Sequence, residues 1–78
     1  MIIVYYEYME KKYDKKQAVT IKYTNWKNET DLRHIIPIKI WYGKTEWHKE
    51  EQWLMNAFDL DKQALRDFAL KDIISWVK

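Results

Sequence analysis

Between Trp41 and Ile73 the chain interleaves Trp41, Trp47, Trp53, Phe58 and Phe68 with Glu46, His48, Arg66 and Lys71. Rings alternating with cations suit base stacking and anion recognition: a stacked base gains about 1–3 kcal/mol, and a guanidinium grips a phosphate through two parallel hydrogen bonds. A chain of 78 residues does not need so many rings for packing. Each buried Trp or Phe removes roughly 150–250 Å² from water, and a small core saturates early. Some of these rings are therefore expected to face a ligand.

Only two arginines, Arg33 and Arg66, stand against twelve lysines. The rigid fork of arginine meets a phosphate with a geometry that the point charge of lysine does not offer. Arg33 and Arg66 are thus the leading anion ligands, and Trp41, Trp47, His48 and Lys71 complete the candidate ligand-binding set. The competing reading has each arginine sealing the end of a barrel against Asp59, Asp61 or Asp67. Trp53 reads as core and Trp76 as core or interface, whereas Trp47 sits in a polar loop where the packing and ligand readings balance.

Other chemistries find less support. His48 lies near Glu46 and Glu50, but the spacing matches no helical pair of metal ligands and no third strong ligand follows, so no metal is expected. Glu46, Glu50 and Glu51 beside His48 could form an acid/base set, yet no nucleophile or oxyanion hole accompanies them, and the reading is that the chain is not an enzyme. His34 alternates with Leu32 and Ile36 and is expected to be a satisfied core histidine. There are no cysteines, which excludes disulfides, thiolate metal sites and a cysteine nucleophile and fits a cytoplasmic setting. The formal charge of +2, from 14 basic and 12 acidic residues, is too small to drive sequence-independent duplex binding. No signal peptide, membrane span or cofactor is expected.

The elements that must position these residues are mostly strands in one domain over 1–78. Ile2, Val4, Tyr6 and Tyr8 alternate with Ile3, Tyr5 and Glu7, which predicts a strand over 2–8. The charged stretch from Glu10 to Gln17 predicts a solvated turn. Val19, Ile21 and Tyr23 share one strand face, and Asn25 and Asn28 supply the turn that follows. A further strand from Asp31 to Trp41 puts Leu32, His34, Ile36, Ile38 and Ile40 on one face and Arg33, Ile35, Lys39 and Trp41 on the other. Pro37 within it demands an edge or a bulge. Apolar runs Trp53 to Phe58 and Ala64 to Leu70 flank a turn at Asp59 to Lys62, and Arg66, Phe68 and Leu70 share a face. Leu70, Ile73, Ile74 and Val77 have the spacing of a short helix, with Asp72 in its first turn. The expected fold is mainly β: a small, strongly bent sheet or partial barrel with a short carboxy-terminal helix. So short a chain needs a dense or shared core, and the amino-terminal strand could pair with a second copy, which makes a homo-oligomer the expectation.

Four segments, in order, carry a family resemblance: Ile21-x-Tyr23, Arg33-x-x-x-Pro37, Trp53-Leu54-Met55-x-Ala57-Phe58-Asp59 and Arg66-x-Phe68-x-Leu70-x-x-Ile73. Together they resemble the WYL domain, a small Sm-like or SH3-like barrel of bacterial regulators, over residues 18–73, although Trp-Leu-Met replaces the name-giving Trp-Tyr-Leu. The segment Gly43-Lys44-Thr45-Glu46-Trp47-His48 is similar to one found in short, stand-alone bacterial and phage proteins of this kind. The resemblance implies ligand sensing without catalysis, with nucleotides or single-stranded nucleic acid bound by aromatic and basic residues. Arg33, Trp53, Arg66 and Phe68 occupy the matching positions. The chain has no helix-turn-helix with which to relay a signal to DNA, so it is expected to sequester its ligand or dock on another chain. For a phage-encoded protein in a host cytoplasm, sequestering a signalling nucleotide would be an anti-defence function.

Overall fold

The computed structural model describes residues 13–77, and the strand expected over 2–8 lies outside them. Among the described residues the chain is mainly β. After a 3-10 turn at Lys15–Gln17 come β1 (Val19–Thr24), β2 (Thr30–Gly43), β3 (Gln52–Asp59), β4 (Ala64–Ala69), a second 3-10 turn at Leu70–Asp72 and β5 (Ile73–Val77). They form one antiparallel sheet in the order β4-β3-β2-β1-β5, which is open in its hydrogen bonding at β4 and β5.

The turns follow from their side chains. In the β1–β2 hairpin, Asn25 Oδ1 accepts the backbone N–H groups of Lys27 and Glu29 at 2.9 Å, and Asn28 adopts φ 66°, a left-handed conformation that asparagine tolerates. In the β3–β4 turn, Asp59 Oδ1 accepts the N–H groups of Asp61 and Lys62 at 3.0 Å.

Strand β2 pairs with β1 through Thr30 to Ile35 and with β3 from Ile35 to Gly43. Beyond Ile35 it has β3 alone as a ladder neighbour among the described strands, and the register shifts between Pro37 and Lys39. The proline's missing donor is thus absorbed at a bulge, one of the two accommodations expected of it.

Cross-strand partners share a face, so Val19↔Ile35 and Met55↔Phe68 bring together a core of Ile21, Tyr23, Ile35, Met55, Ala57 and Phe68. Tyr23 meets Phe68 edge to face at 5.0 Å. Fully burying Ile21 and Ile35 stabilises the fold by about 1.5–3 kcal/mol each. On the opposite face Ile36, Leu54, Phe58 and Ala69 are buried, and Tyr13 stacks on Phe58 at 4.8 Å. The sheet also curls. Strands β1 and β4 are separated by two others, yet the Tyr23 hydroxyl accepts the Ala69 N–H at 3.0 Å.

Three expectations are corrected. Residues from Leu70 onward form a 3-10 turn and then strand β5, not a helix. Eight residues are too few to sustain a helix alone, whereas the β-branched Ile73, Ile74 and Val77 suit a strand that pairs with the edge of β1 through Tyr23↔Ile73 and Thr20↔Val77. Trp53 is 56% exposed, not core, because β4 covers β3 only from Leu54 onward. Trp76, on the outermost described strand β5, is exposed as well, which removes the core half of its core-or-interface reading and leaves the interface half untouched. His34 is exposed and paired through Nδ1 to Asp61 Oδ2 at 2.8 Å, since the inward residues of this part of β2 are Arg33 and Ile35.

Candidate functional site

Pairing of Ile21 with Arg33, Ala57 with Arg66 and Met55 with Phe68 puts Tyr23, Arg33, Arg66 and Phe68 on the core face, toward one end of the curled sheet. They line a groove of about 480 Å³. The β1–β2 hairpin adds Trp26, and the β2–β3 connection adds Thr45, Trp47 and His48. Trp26, Trp47 and His48 also border an adjoining hollow of about 220 Å³ that contains Lys49, Glu50, Lys71 and Asp72.

The β2–β3 connection is organised around Thr45. Its hydroxyl oxygen accepts the N–H groups of Trp47 at 3.1 Å and His48 at 2.9 Å, and its own N–H donates to the His48 carbonyl at 2.8 Å. With both lone pairs engaged, the Thr45 proton is donated to His48 Nδ1, 3.0 Å away. A neutral His48 then carries its hydrogen on Nε2 and donates to the Tyr23 hydroxyl at 3.3 Å, a tautomer assigned from this balance. Tyr23 Oη already accepts from Ala69, so its own proton is left as a donor at the groove floor.

Electrostatics agree with that assignment. Burial pushes the His48 imidazole below its ordinary value of 6.5, with Asp72 and Asp67 opposing and Lys71 reinforcing the shift. Burial raises the Tyr23 phenol above 10.0, while the hydrogen bond from Ala69 pulls the other way. Both groups are neutral donors or acceptors near pH 7.

At the rim, Trp26 and Trp47 are stacked with centroids 5.8 Å apart and planes inclined by 22°, and they remain 66% and 61% exposed. Lys27 Nζ lies 5.3 Å from the Trp26 ring centre. Two indoles held this way without burial form a platform for another flat group.

The structure brings Arg33, Trp47, His48 and Arg66 to the groove and Lys71 to the adjoining hollow. Trp41 lines neither. Its pairing with Leu54 turns it to the other face, where its Nε1 donates to Asp67 Oδ1 at 2.9 Å beside Asn56 Nδ2 at 3.2 Å. Arg33 is mostly buried and its guanidinium approaches Asp59 Oδ2 at 3.9 Å, while Asp59 is 1% exposed. Arg33 therefore lines the groove and also faces a buried carboxylate. Arg66 is exposed and has no ion pair among the described residues. Tyr23, Trp26 and Thr45 were not anticipated as site residues. For Trp26 a signal existed in the polar turn Asn25-Trp26-Lys27-Asn28, where an indole has no core to enter. Among the described residues no group of three or more His, Cys, Asp or Glu is placed to hold a metal ion, and no helix is long and apolar enough to cross a membrane.

Comparison with protein-family models, with curated proteins and with solved structures gives no match.

Proposed function

We propose that this chain is a non-catalytic binding domain whose groove takes a nucleotide-like anion, either a signalling nucleotide or a short single strand, and that its curled sheet is a WYL-type, SH3-like fold. The observation that carries the reading is the exposed Trp26–Trp47 stack set over the same groove as Arg33 and Arg66. A base lies on the indole platform while a guanidinium meets its phosphate. Catalysis is not part of the reading. Of the two hydroxyls paired with the His48 imidazole in the groove, that of Thr45 has its lone pairs engaged by two backbone N–H groups and that of Tyr23 already accepts the Ala69 N–H, which makes each a poor nucleophile. A binder of this kind in a host cytoplasm acts by sequestering its ligand, an anti-defence function for a phage-encoded chain.

The test is thermal stability against mono-, di- and cyclic nucleotides, ADP-ribose derivatives and short single strands, followed by mass analysis of each ligand. A binder at 100 times its dissociation constant adds about 2.7 kcal/mol. Stabilisation with the ligand intact supports the reading, and turnover of the ligand refutes it. Trp26→Ala and Trp47→Ala should each lose about 1–3 kcal/mol of binding and change stability by less than about 0.5 kcal/mol.

A second reading, a module that docks on another protein or on its own copy, is favoured by a different surface. Ile40, Tyr42 and Trp53 are exposed at the end of the β2–β3 hairpin next to its connection and line neither the groove nor the hollow, and Tyr42 and Trp53 pair across the strands and meet edge to face at 5.3 Å. Exposed tryptophan is typical of interface hot spots. Light scattering on the native chain and on Trp53→Ala tests it: a dimer dispersed by the substitution supports self-association through this end.

A further inference from the structure

We infer that the groove takes a planar aromatic ligand carrying a single negative charge, of the kind a phosphodiester gives, and discriminates against phosphomonoesters and polyphosphates. The inference rests on the nucleotide-like reading above and narrows the charge of the ligand. Two guanidinium groups, those of Arg33 and Arg66, belong to residues that line the groove. Of the two cations, Arg33 already faces Asp59, a buried carboxylate whose Oδ2 has no hydrogen-bond partner among the described residues. Among the residues that line the groove, Arg66 alone is left to meet an incoming charge, Lys27 lying outside it against the Trp26 ring.

Two groups that could have supplied more positive charge do not. The hydrogen balance at Thr45 keeps His48 neutral, because a second proton, on Nδ1, would present the Thr45 oxygen with a third donor. Tyr23 offers a neutral O–H at the groove floor. Extension into the adjoining hollow gains no surplus charge either, since Lys49 and Lys71 there are matched by Glu50 and Asp72. A phosphomonoester, with a charge of roughly −1.5 to −2 at pH 7, would leave part of its charge uncompensated. One guanidinium, one neutral hydroxyl and an indole platform fit a monoanion.

The experiment follows tryptophan fluorescence of the full chain titrated with adenosine, adenosine 3′,5′-cyclic monophosphate, AMP and ATP, and with the matching guanine series. The cyclic monophosphate is expected to bind roughly tenfold more tightly than its nucleoside, monoester and triphosphate, about the worth of one charge-assisted hydrogen bond. In Arg66→Gln its affinity should fall to that of the nucleoside. Tightest binding by AMP, ATP or the free nucleoside in both series overturns the charge assignment and leaves the proposed function standing. A preference that survives in Arg66→Gln also overturns it. Absence of binding by all eight compounds overturns the charge assignment, and absence of binding by the wider panel and the single strands as well overturns the proposed function.

Discussion

The hydroxyl of Tyr23 lies 3.3 Å from Nε2 of His48, and this contact fastens the β2–β3 connection to β1 at the floor of the groove. The same oxygen accepts the Ala69 N–H, so one phenol joins β1, the end of β4 and the loop that carries Trp47. Tyr23→Phe keeps the ring against Phe68 but strands a buried N–H. The expected loss is about 1–3 kcal/mol, read as a lower urea midpoint with an unchanged slope. An unchanged midpoint would show that Ala69 finds another partner.

The two arginines should separate cleanly. Arg33→Ala leaves Asp59 buried without its cation and should destabilise the fold by about 1–3 kcal/mol. Arg66→Ala, on an exposed side chain, should alter stability by less than about 0.5 kcal/mol while weakening nucleotide binding. Equal losses of stability would contradict this division of roles.

The pH dependence follows from His48. Its folded-state value lies below 6.5, chiefly through burial, so the unfolded chain takes up the proton first. The stability associated with neutral His48 is fully present above pH 6.5 and declines as pH falls below it toward the lower folded value. Urea unfolding of the native chain and of His48→Gln at pH 7.5 and 5.5 checks the sign. The native chain should lose more stability on acidification than the variant, and a larger loss in the variant would reverse the assignment.

Gly43 is required by a close approach. A Cβ built there would lie 2.5 Å from Cζ3 of Trp41, a rigid ring held in place by its bond to Asp67. Gly43→Ala should therefore cost about 1–3 kcal/mol through overpacking. Trp41→Leu in the same background should recover part of that loss, as measured by a double-mutant cycle in urea.

Much of the sheet is legible in local sequence. Alternation in Val19–Tyr23, the Asn25 and Asn28 turn, the bulge demanded by Pro37 and the acidic turn at Asp59 are all properties of a few neighbouring residues. What escapes is decided at long range. Apolar spacing after Leu70 fits a helix or a strand equally until β1 is known to present a free edge. His34 and Arg33 exchange inner and outer places once β1 fixes which face of β2 meets the core, because a single residue inverts a strand. Trp53 looks like core until β4 is seen to stop one residue short of it. The site divides in the same way. Scarcity marks Arg33 and Arg66, and a polar loop marks Trp47. The Tyr23–His48 link and the stacking of Trp26 on Trp47 join segments far apart in the chain, which no local pattern announces.

Among the described residues, strand β5 is the outermost element on its side, and after the half-buried Ile73 its residues Ile74 to Val77 are exposed. Among the described strands its one ladder partner is β1, so loss of that ladder in a sub-global opening leaves the other four described strands paired. Amide hydrogens along β5 should then exchange sooner than those of β3. Each such opening uncovers an edge of β1 that recognises Ile73–Val77 by register, whether the strand returns from the same chain or arrives from another copy. Reciprocal exchange of β5 between two molecules is thus a low-barrier route to a swapped dimer.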